Sequence, residues 1–210
     1  MKQHDLFPTL VLQDHNAIDG NGEILNSLIN RQEEFWKEEP LSALIDTSPN
    51  QGVIDFSDEE FQSVCEVALS TGKKYLQYSG YDPEMGLRIS DMWANMYTGE
   101  NGITTHNHPN SYLSGVFYLT EDNNPIAFFD PNAQVKFQTL PKITDYEQFA
   151  KRPNRWEVMP NKGDLLLFPS YLYHSVGHAT ATKKSINIAF NLSITGPVGD
   201  INLHTYNENI

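Results

Sequence analysis

The chain has 210 residues, of which 39% are hydrophobic and 11% aromatic. This length and composition are enough for one sizeable hydrophobic core, so we expect a single domain. The formal net charge of −13 repels phosphate backbones and anionic lipid headgroups, which argues against nucleic acid and membrane surfaces as partners.

Cysteine usage and the lack of long apolar runs favour a cytoplasmic protein. The single cysteine, Cys65, excludes an intrachain disulfide and a cysteine-based zinc site. No segment approaches the roughly 20 apolar residues of a membrane span, and the first residues show no apolar core of a signal peptide. Nothing in these features indicates an oligomeric state.

The first third of the chain is predicted to be mostly helical. Leu6–Asp14 has the pattern of a short strand, and Glu23–Glu39 has apolar residues at helical spacing. Ser57 and Glu60 have the spacing of a capping box for a second helix. That helix is expected to stop at Thr71–Gly72.

From Gly86 onward the sequence favours strands. Short segments rich in aromatic and β-branched residues alternate with Gly, Pro, Asn and Asp, as in an antiparallel β-sheet protein. Thr144–Ala150 is the exception and is predicted to form a helical turn, inside an insertion, Thr139–Arg155, that could cover a substrate. We therefore predict an α+β fold, with residues 1–85 as mainly helical support packed on a β-sandwich or small barrel. The predicted strand segments are LRISDMWANMY, YLSGVFYL, PIAFFD, RWEVMP, DLLLFPSY and SINIAFNLSI.

The histidines are the first candidates for chemistry. His4, His15 and His204 stand in polar surroundings and are interpreted as surface residues. His106 and His108 differ, because residues i and i+2 of an extended chain project to the same face. Two imidazoles on one face can bind the same metal ion, although a polar loop that happens to contain two histidines would give the same pattern.

A third histidine is expected on the rim of the same sheet structure. His174 follows a Gly163–Asp164 turn, the strand Leu165–Phe168 and a Pro-Ser break, so it begins the next strand. In a jelly roll this strand can lie across from His106 and His108. His178, in the more polar GHATAT segment, is the rival. We expect alanine substitution of His106 or His174 to abolish metal binding, and substitution of His178 to leave it intact.

The segments WANMYTGENGITTHNHPNSYLSGVFYL, FFDP, GDLLLFPSYLYHSV and INIAFN resemble the iron(II)- and 2-oxoglutarate-dependent oxygenases, near the prolyl-hydroxylase-like branch. The resemblance extends to a family of uncharacterised members with an H-x-H-P element, and it covers most of the chain. It implies a double-stranded β-helix, or jelly roll, over residues 86–210. It also implies one Fe(II) held by two histidines and a carboxylate, with 2-oxoglutarate as cosubstrate.

Residue by residue, the resemblance gives His106 and His174 as the two histidine ligands. His108 stands where other members have Asp or Glu, so three imidazoles are expected around the metal. Asp130 is the nearest alternative carboxylate, but an Asp before Pro is more typical of a turn.

The resemblance also implies a cation for the distal carboxylate of 2-oxoglutarate. Lys183 and Lys184 are in range, and Lys184 is the predicted partner, although Ser185 stands where the family usually has Arg. By alternation, Ser185 and Asn187 share one face of their strand. Further candidates for contact with the cosubstrate come from the strands around the histidines: Asn95, Tyr97, Ser114 and Tyr118.

The leading functional prediction is a dioxygenase that uses Fe(II) and 2-oxoglutarate to hydroxylate a small molecule or an amino-acid or protein side chain. Two alternatives stay open. One is a cupin-like three-histidine metalloenzyme that does not use 2-oxoglutarate. The other is a jelly-roll binding module without turnover, because fold does not determine function.

Overall fold

The computed structural model describes residues 8–17, 21–31, 50–97, 101–133, 142, 144, 154–177 and 184–196. Within these ranges the chain forms two helices, a 3-10 turn at Glu59–Phe61 and ten strands. The helices are α1 (Asn21–Asn30) and α2 (Gln62–Tyr78). The strands are β1 (Leu12–Asp14), β2 (Asn50–Val53), β3 (Gly86–Tyr97), β4 (Ile103–His106), β5 (Leu113–Tyr118), β6 (Ile126–Phe129), β7 (Arg155–Val158), β8 (Leu165–Pro169), β9 (His174–Val176) and β10 (Ser185–Thr195).

The strands form two sheets in which every described pairing is antiparallel. The larger sheet has six strands in the order β1-β8-β5-β10-β3-β2, and the smaller has four in the order β4-β9-β6-β7. Strands that follow one another in the sequence are often not paired in a sheet, so long connections join most of the paired strands. This arrangement confirms the predicted combination of antiparallel sheets with helices packed on them.

Helix α2 packs on the larger sheet through one buried stripe. Val64, Ala68 and Tyr75 recur at helical spacing on this face, and they share a core with Phe190 and Leu192 of β10. The opposite face of α2 is exposed to solvent. The helix thus closes the side of the sheet that faces away from the histidines.

Helix α2 does not stop at Thr71–Gly72, and that prediction is wrong. The helix runs on to Tyr78, and both residues are buried. A Cβ added at Gly72 would lie 2.8 Å from Leu87 Cδ1 and 2.8 Å from Leu192 Cδ1. Glycine is therefore needed here for close packing of the helix on the sheet and does not end the helix.

The predicted capping box is also wrong. Ser57 donates its hydroxyl hydrogen bond to Asp55 Oδ1 at 2.6 Å. The side chain of Glu60 instead accepts a hydrogen bond from Ser27 and pairs with Arg31 at 2.5 Å. Glu60 thereby ties α1 to the start of α2, a long-range contact that local spacing does not reveal.

The strand predictions in the second half are confirmed, since each predicted segment contains one strand. The first third contributes more than helices, because β1 and β2 form the two edges of the six-stranded sheet. Within the described part of the predicted strand Leu6–Asp14, residues 8–14, only Leu12–Asp14 forms a strand. The second half of the predicted helix Glu23–Glu39 and nearly all of the predicted turn Thr144–Ala150 lie outside the described residues.

No helix in the part of the chain described is long and apolar enough to cross a membrane.

Candidate metal centre

Three histidines from two separate stretches of chain meet in one cluster. His106 ends β4, His108 lies two residues further on, and His174 begins β9, where it pairs directly with His106 in the β4–β9 ladder. The ring centroids of His106 and His174 are 4.3 Å apart, and that of His108 lies 5.2 Å and 5.1 Å from them respectively. One nitrogen of each ring lies within 4.8 Å of the others, so the three rings can serve one ion.

Hydrogen-bond acceptors on the outer side of each imidazole determine which ring nitrogen faces the centre of the histidine cluster. Nδ1 of His106 lies 2.8 Å from the carbonyl oxygen of Thr104, and Nδ1 of His174 lies 2.9 Å from that of Leu172. A carbonyl oxygen can only accept a hydrogen bond, so each Nδ1 must carry the proton. Each Nε2 then keeps its lone pair, which is the form of imidazole that binds a metal.

His108 is oriented by a side chain. Its Nδ1 lies 2.7 Å from Oδ1 of Asn191 on β10. The same oxygen accepts from Ser114 Oγ at 2.8 Å, and Ser114 is in turn bonded to Ser170 at 2.8 Å. Asn191 Nδ2 donates to Asp91 Oδ2 at 3.5 Å, which orients the amide so that its oxygen faces His108.

Burial keeps the three imidazoles neutral. It lowers the pKa of His174 to about 3, with further lowering from His106 and a smaller opposing effect of the bond to Leu172. It also lowers the pKa of His106 and of His108. Three neutral rings with free Nε2 lone pairs are a donor set that suits divalent iron and its neighbours in the first transition series.

The cluster opens into a cavity of about 850 Å³ whose floor is formed by β3 and β10. Tyr97, Asn95, Trp93 and Asp91 alternate along β3 on this face. Tyr97 and Asn95 are 1% and 3% exposed, Trp93 is half-buried and Asp91 is exposed. The exposure decreases from Asp91 to Tyr97, so β3 runs from the mouth of the cavity to its closed end.

The closed end is polar and uncharged. Asn95 Nδ2 donates to Asn187 Oδ1 at 2.8 Å, and Gln51 Nε2 donates to Asn95 Oδ1 at 2.8 Å. The Tyr97 hydroxyl is hydrogen-bonded to the Asn187 side chain. Burial raises the pKa of Tyr97 and of Tyr118, so both phenols remain protonated hydrogen-bond donors.

The cosubstrate residues predicted from sequence fall into two groups. Asn95, Tyr97, Ser114, Tyr118 and Asn187 all line the cavity. Ser185 and Lys184 do not. Ser185 is buried and donates to Asn123 Oδ1 at 3.1 Å, and Lys184, which directly precedes β10, is exposed. In the described part of the cavity wall there is no Lys or Arg.

Asp130 and His15 lie away from the histidine cluster. Asp130 accepts from the backbone N–H of Asn132 at 2.9 Å, as a turn residue does, and belongs to no metal-ligating cluster with the histidines. His15 pairs with Asp164 at 2.8 Å. His4, His178, His204 and Lys183 lie outside the described residues.

Sequence reasoning missed Asn191 and Asp91. Both could have been found by extending the alternation by two steps from Asn187 and Asn95. Asn187, Ala189 and Asn191 share a face of β10, and Asp91 precedes Trp93 and Asn95 on the corresponding face of β3. Trp93 lies on the same face of β3 as Asn95, and its ring stacks on His108 at a centroid distance of 5.6 Å.

Solved structures with a similar fold are oxygenases and related enzymes. A prolyl-4-hydroxylase from Pseudomonas putida superposes with a TM-score of 0.61 at 15% identity, covering 90% of this chain and 94% of that one. HygX from Streptomyces hygroscopicus, with nickel and 2-oxoglutarate bound, gives a TM-score of 0.59 at 12% identity, covering 96% and 93%. The carbocyclase SnoK from nogalamycin biosynthesis, described as alpha-ketoglutarate dependent, gives 0.64 at 10% identity, covering 90% and 81%. These likenesses concern the fold.

No curated protein matches the chain in sequence. A family model does, and it falls on the strands that form the cavity. Residues 91–191 match the family described as "Putative 2OG-Fe(II) oxygenase", a range that begins at Asp91, ends at Asn191 and contains all three histidines. Over these residues the chain is similar to the iron(II)- and 2-oxoglutarate-dependent oxygenases.

Proposed function

We propose that this oxygenase holds its Fe(II) through the Nε2 atoms of His106, His108 and His174. The observation that carries the proposal is that all three Nδ1 atoms face oxygen acceptors, which leaves three lone pairs directed into one cluster. Three protein ligands leave positions on the metal for a cosubstrate and dioxygen. No carboxylate among the described residues joins the cluster, so the protein ligands add no negative charge.

The closed end of the cavity is proposed to hold 2-oxoglutarate. The phenols of Tyr97 and Tyr118 and the amides of Asn95 and Asn187 offer neutral hydrogen-bond donors to a carboxylate there. Lys184 and Ser185 are left out, because neither lines the cavity. Ser114 acts through Asn191, whose oxygen it helps to position.

When bound, Fe(II) would supply the activation of dioxygen, with one oxygen atom hydroxylating a substrate C–H bond and the other entering succinate as 2-oxoglutarate loses carbon dioxide. The chain supplies orientation and exclusion of water. Trp93 shields one side of His108, and Phe168 packs against His174 at a centroid distance of 4.8 Å. These rings limit the access of bulk water to two of the ligands. The substrate is a small molecule or a protein side chain that reaches the open end.

The two sheets are proposed to be the halves of a double-stranded β-helix. The histidines of the four-stranded sheet meet Asn191 of the six-stranded sheet, as expected if the site lies between the two halves.

We propose one domain over residues 1–210, in which residues 1–85 support the core, because α2, β1 and β2 all pack on or within the larger sheet. A cytoplasmic location is proposed from the single cysteine, and the net negative charge argues against nucleic acid as a partner.

The test is succinate formation from 2-oxoglutarate by the purified protein with Fe(II), ascorbate and oxygen, in the absence of an added substrate. We expect slow turnover above that of His174→Ala. His106→Ala and His174→Ala should each abolish tight Mn(II) binding, while His178→Ala should retain it.

Three outcomes would contradict the proposal. Full metal occupancy in His174→Ala would show that the ligand set is wrong. Tight metal binding without 2-oxoglutarate binding in a direct titration would favour the cupin-like three-histidine alternative, whereas a protein that binds neither would be a jelly-roll binding module.

A further inference from the structure

The metal centre divides the cavity into two ends. In the β3–β10 ladder, Asn95 pairs with Asn187, Trp93 with Ala189 and Asp91 with Asn191. His108 is bonded to Asn191 and stacked on Trp93, so it lies level with the outer two of these pairs. The neutral donors of Asn95 and Tyr97 lie deeper. If the proposed function is correct and the cosubstrate occupies the closed end, the outer end remains for the substrate.

A β-bulge shapes this outer end. The β3–β10 register shifts between Asn191, which pairs with Asp91, and Leu192, which pairs with Ile89. Ser90 is therefore the extra residue, and both Ser90 and Asp91 lie on the cavity wall. Bulges of this kind re-aim side chains and are common beside active sites. Here the bulge places a carboxylate at the cavity mouth.

The carboxylate of Asp91 has spare hydrogen-bonding capacity. It accepts from Asn191 Nδ2 at 3.5 Å, a long contact, and its side chain is exposed. No Lys or Arg among the described residues forms an ion pair with it, since none of the ion pairs found there involves Asp91. Asp91 can therefore accept a hydrogen bond from a ligand without breaking an ion pair to any described residue.

Charge balance makes this carboxylate the dominant fixed charge at the mouth. The two positive charges of Fe(II) are offset by the two carboxylates of 2-oxoglutarate, and the three imidazoles are neutral. Across the described cavity wall, Asp91 is then the side chain that carries a net charge. A negative wall attracts cations and repels anions, and the net charge of −13 acts in the same direction.

Apolar groups lie beside this charge. Val53 and Phe56 line the same cavity and are 74% and 37% exposed, and Trp93 offers part of its ring. We propose that the outer end binds a substrate with an ammonium or guanidinium group on Asp91 and a hydrocarbon portion against Trp93, Val53 and Phe56. The C–H bond to be oxidised would then lie on the hydrocarbon portion, near the histidine cluster.

A pair of probes that differ in charge tests this inference. The protein is loaded with Mn(II) and 2-oxoglutarate, and n-pentylammonium and 1-pentanol are titrated in separately. Paramagnetic Mn(II) shortens the proton relaxation times of a probe only when the probe lies near the cluster. We expect n-pentylammonium to bind about ten times more tightly than 1-pentanol, because a charge-assisted hydrogen bond contributes about that factor.

Three variants test whether the charge of Asp91 causes the preference for n-pentylammonium. Asp91→Asn keeps an acceptor oxygen for Asn191 but removes the charge, and should bind both probes equally. Asp91→Glu keeps the charge and should retain most of the preference. Glu121→Gln removes the same charge at an exposed site that does not line the cavity, and should behave as the unmodified protein.

Equal binding of the two probes by the unmodified protein, or a preference that survives Asp91→Asn, would overturn the inference. Mn(II) binding is measured first by electron paramagnetic resonance. A protein that binds Mn(II) and 2-oxoglutarate but does not distinguish the probes contradicts the substrate inference alone. A protein that does not bind Mn(II) contradicts the proposed function, and the inference that rests on it.

Discussion

Each imidazole of the cluster donates a hydrogen bond from its Nδ1 to an oxygen atom. For His106 and His174 that oxygen belongs to a backbone carbonyl two residues earlier, which no substitution can remove. For His108 it is the side-chain oxygen of Asn191, which is 7% exposed. Asn191 is therefore the position at which the orientation of a ligand can be changed without touching the ligand itself.

We predict that Asn191→Ala weakens Mn(II) binding by about 10- to 100-fold, the usual effect of losing a group that orients a metal ligand. Asn191→Asp retains an acceptor oxygen for His108 and should lose much less affinity. Free Mn(II), measured by electron paramagnetic resonance during a titration, gives the affinities.

Asn132→Ala is the matched control, because Asn132 is an exposed turn residue. Thermal melts of the metal-free variants show whether each is folded. An Asn191→Ala protein that is folded and keeps full affinity would show that the bond to His108 does not orient the ring for binding.

Strands β3, β5 and β10 carry most of the cavity wall, and their close approach depends on one glycine. Gly115 of β5 lies directly opposite Phe190 of β10. A Cβ at position 115 would lie 2.2 Å from Cζ of Phe190 and under 3.0 Å from two further ring atoms. The ring is fully buried, and it packs on Phe117 at a centroid distance of 5.6 Å, so it has little room to move.

We predict that Gly115→Ala destabilises the protein by about 1–3 kcal/mol through overpacking. Urea denaturation monitored by circular dichroism measures the change in the free energy of unfolding. The same substitution at Gly22 is the control, since a Cβ there meets nothing within 4 Å. Gly22 lies in α1, where alanine is favoured over glycine by up to about 1 kcal/mol, so Gly22→Ala should leave stability unchanged or raise it. Equal effects at both positions would exclude the packing explanation.

The two sheets meet at the histidine cluster, so the site is also a buried polar junction of the whole molecule. His174 is 4% exposed and packs among Phe128 and Phe168. In the unfolded chain its imidazole would take up a proton near pH 6.5. In the folded protein burial lowers the pKa of His174 to about 3.

We predict that the metal-free protein loses stability as the pH falls below about 6.5. Between pH 6.5 and about 3 the unfolded chain binds the proton of His174 and the folded protein does not, so acid favours unfolding. The lowered pKa values of His106 and His108 act in the same direction. Melting temperatures in EDTA from pH 7 to 5 measure the effect, since most carboxylates titrate below this window.

His174→Leu removes one of the three titrating groups and should flatten the pH profile between pH 7 and 5. A metal-free protein whose melting temperature stays constant over this window would contradict the burial of neutral histidines.

Local patterns in the sequence predicted several parts of this protein correctly. Short segments rich in aromatic and β-branched residues and bounded by turn residues predicted the strands of the second half, because such side chains fit a pleated sheet. The motifs around His106 and His174 indicated the oxygenase family, and the family match confirms it. The placement of His106 and His108 on one side of the chain followed from the alternation of side chains along an extended chain. The length of α2 and the partners of Glu60 were not predictable, because tertiary packing overrides the local signals of Gly72 and Ser57.

Only the tertiary structure decided what surrounds the histidines. The oxygen behind His108 belongs to a residue 83 positions away, and the ladder of β3 and β10 determines which residues face each other across the cavity floor. Asn187 of β10 lines the cavity, whereas Lys184, just before β10, is exposed, and a bulge at Ser90 places Asp91 at the mouth. Alternation determines which residues share a face within one strand. Register, bulges and burial depend on contacts between distant segments, and these determine which face becomes the site and which charge it carries.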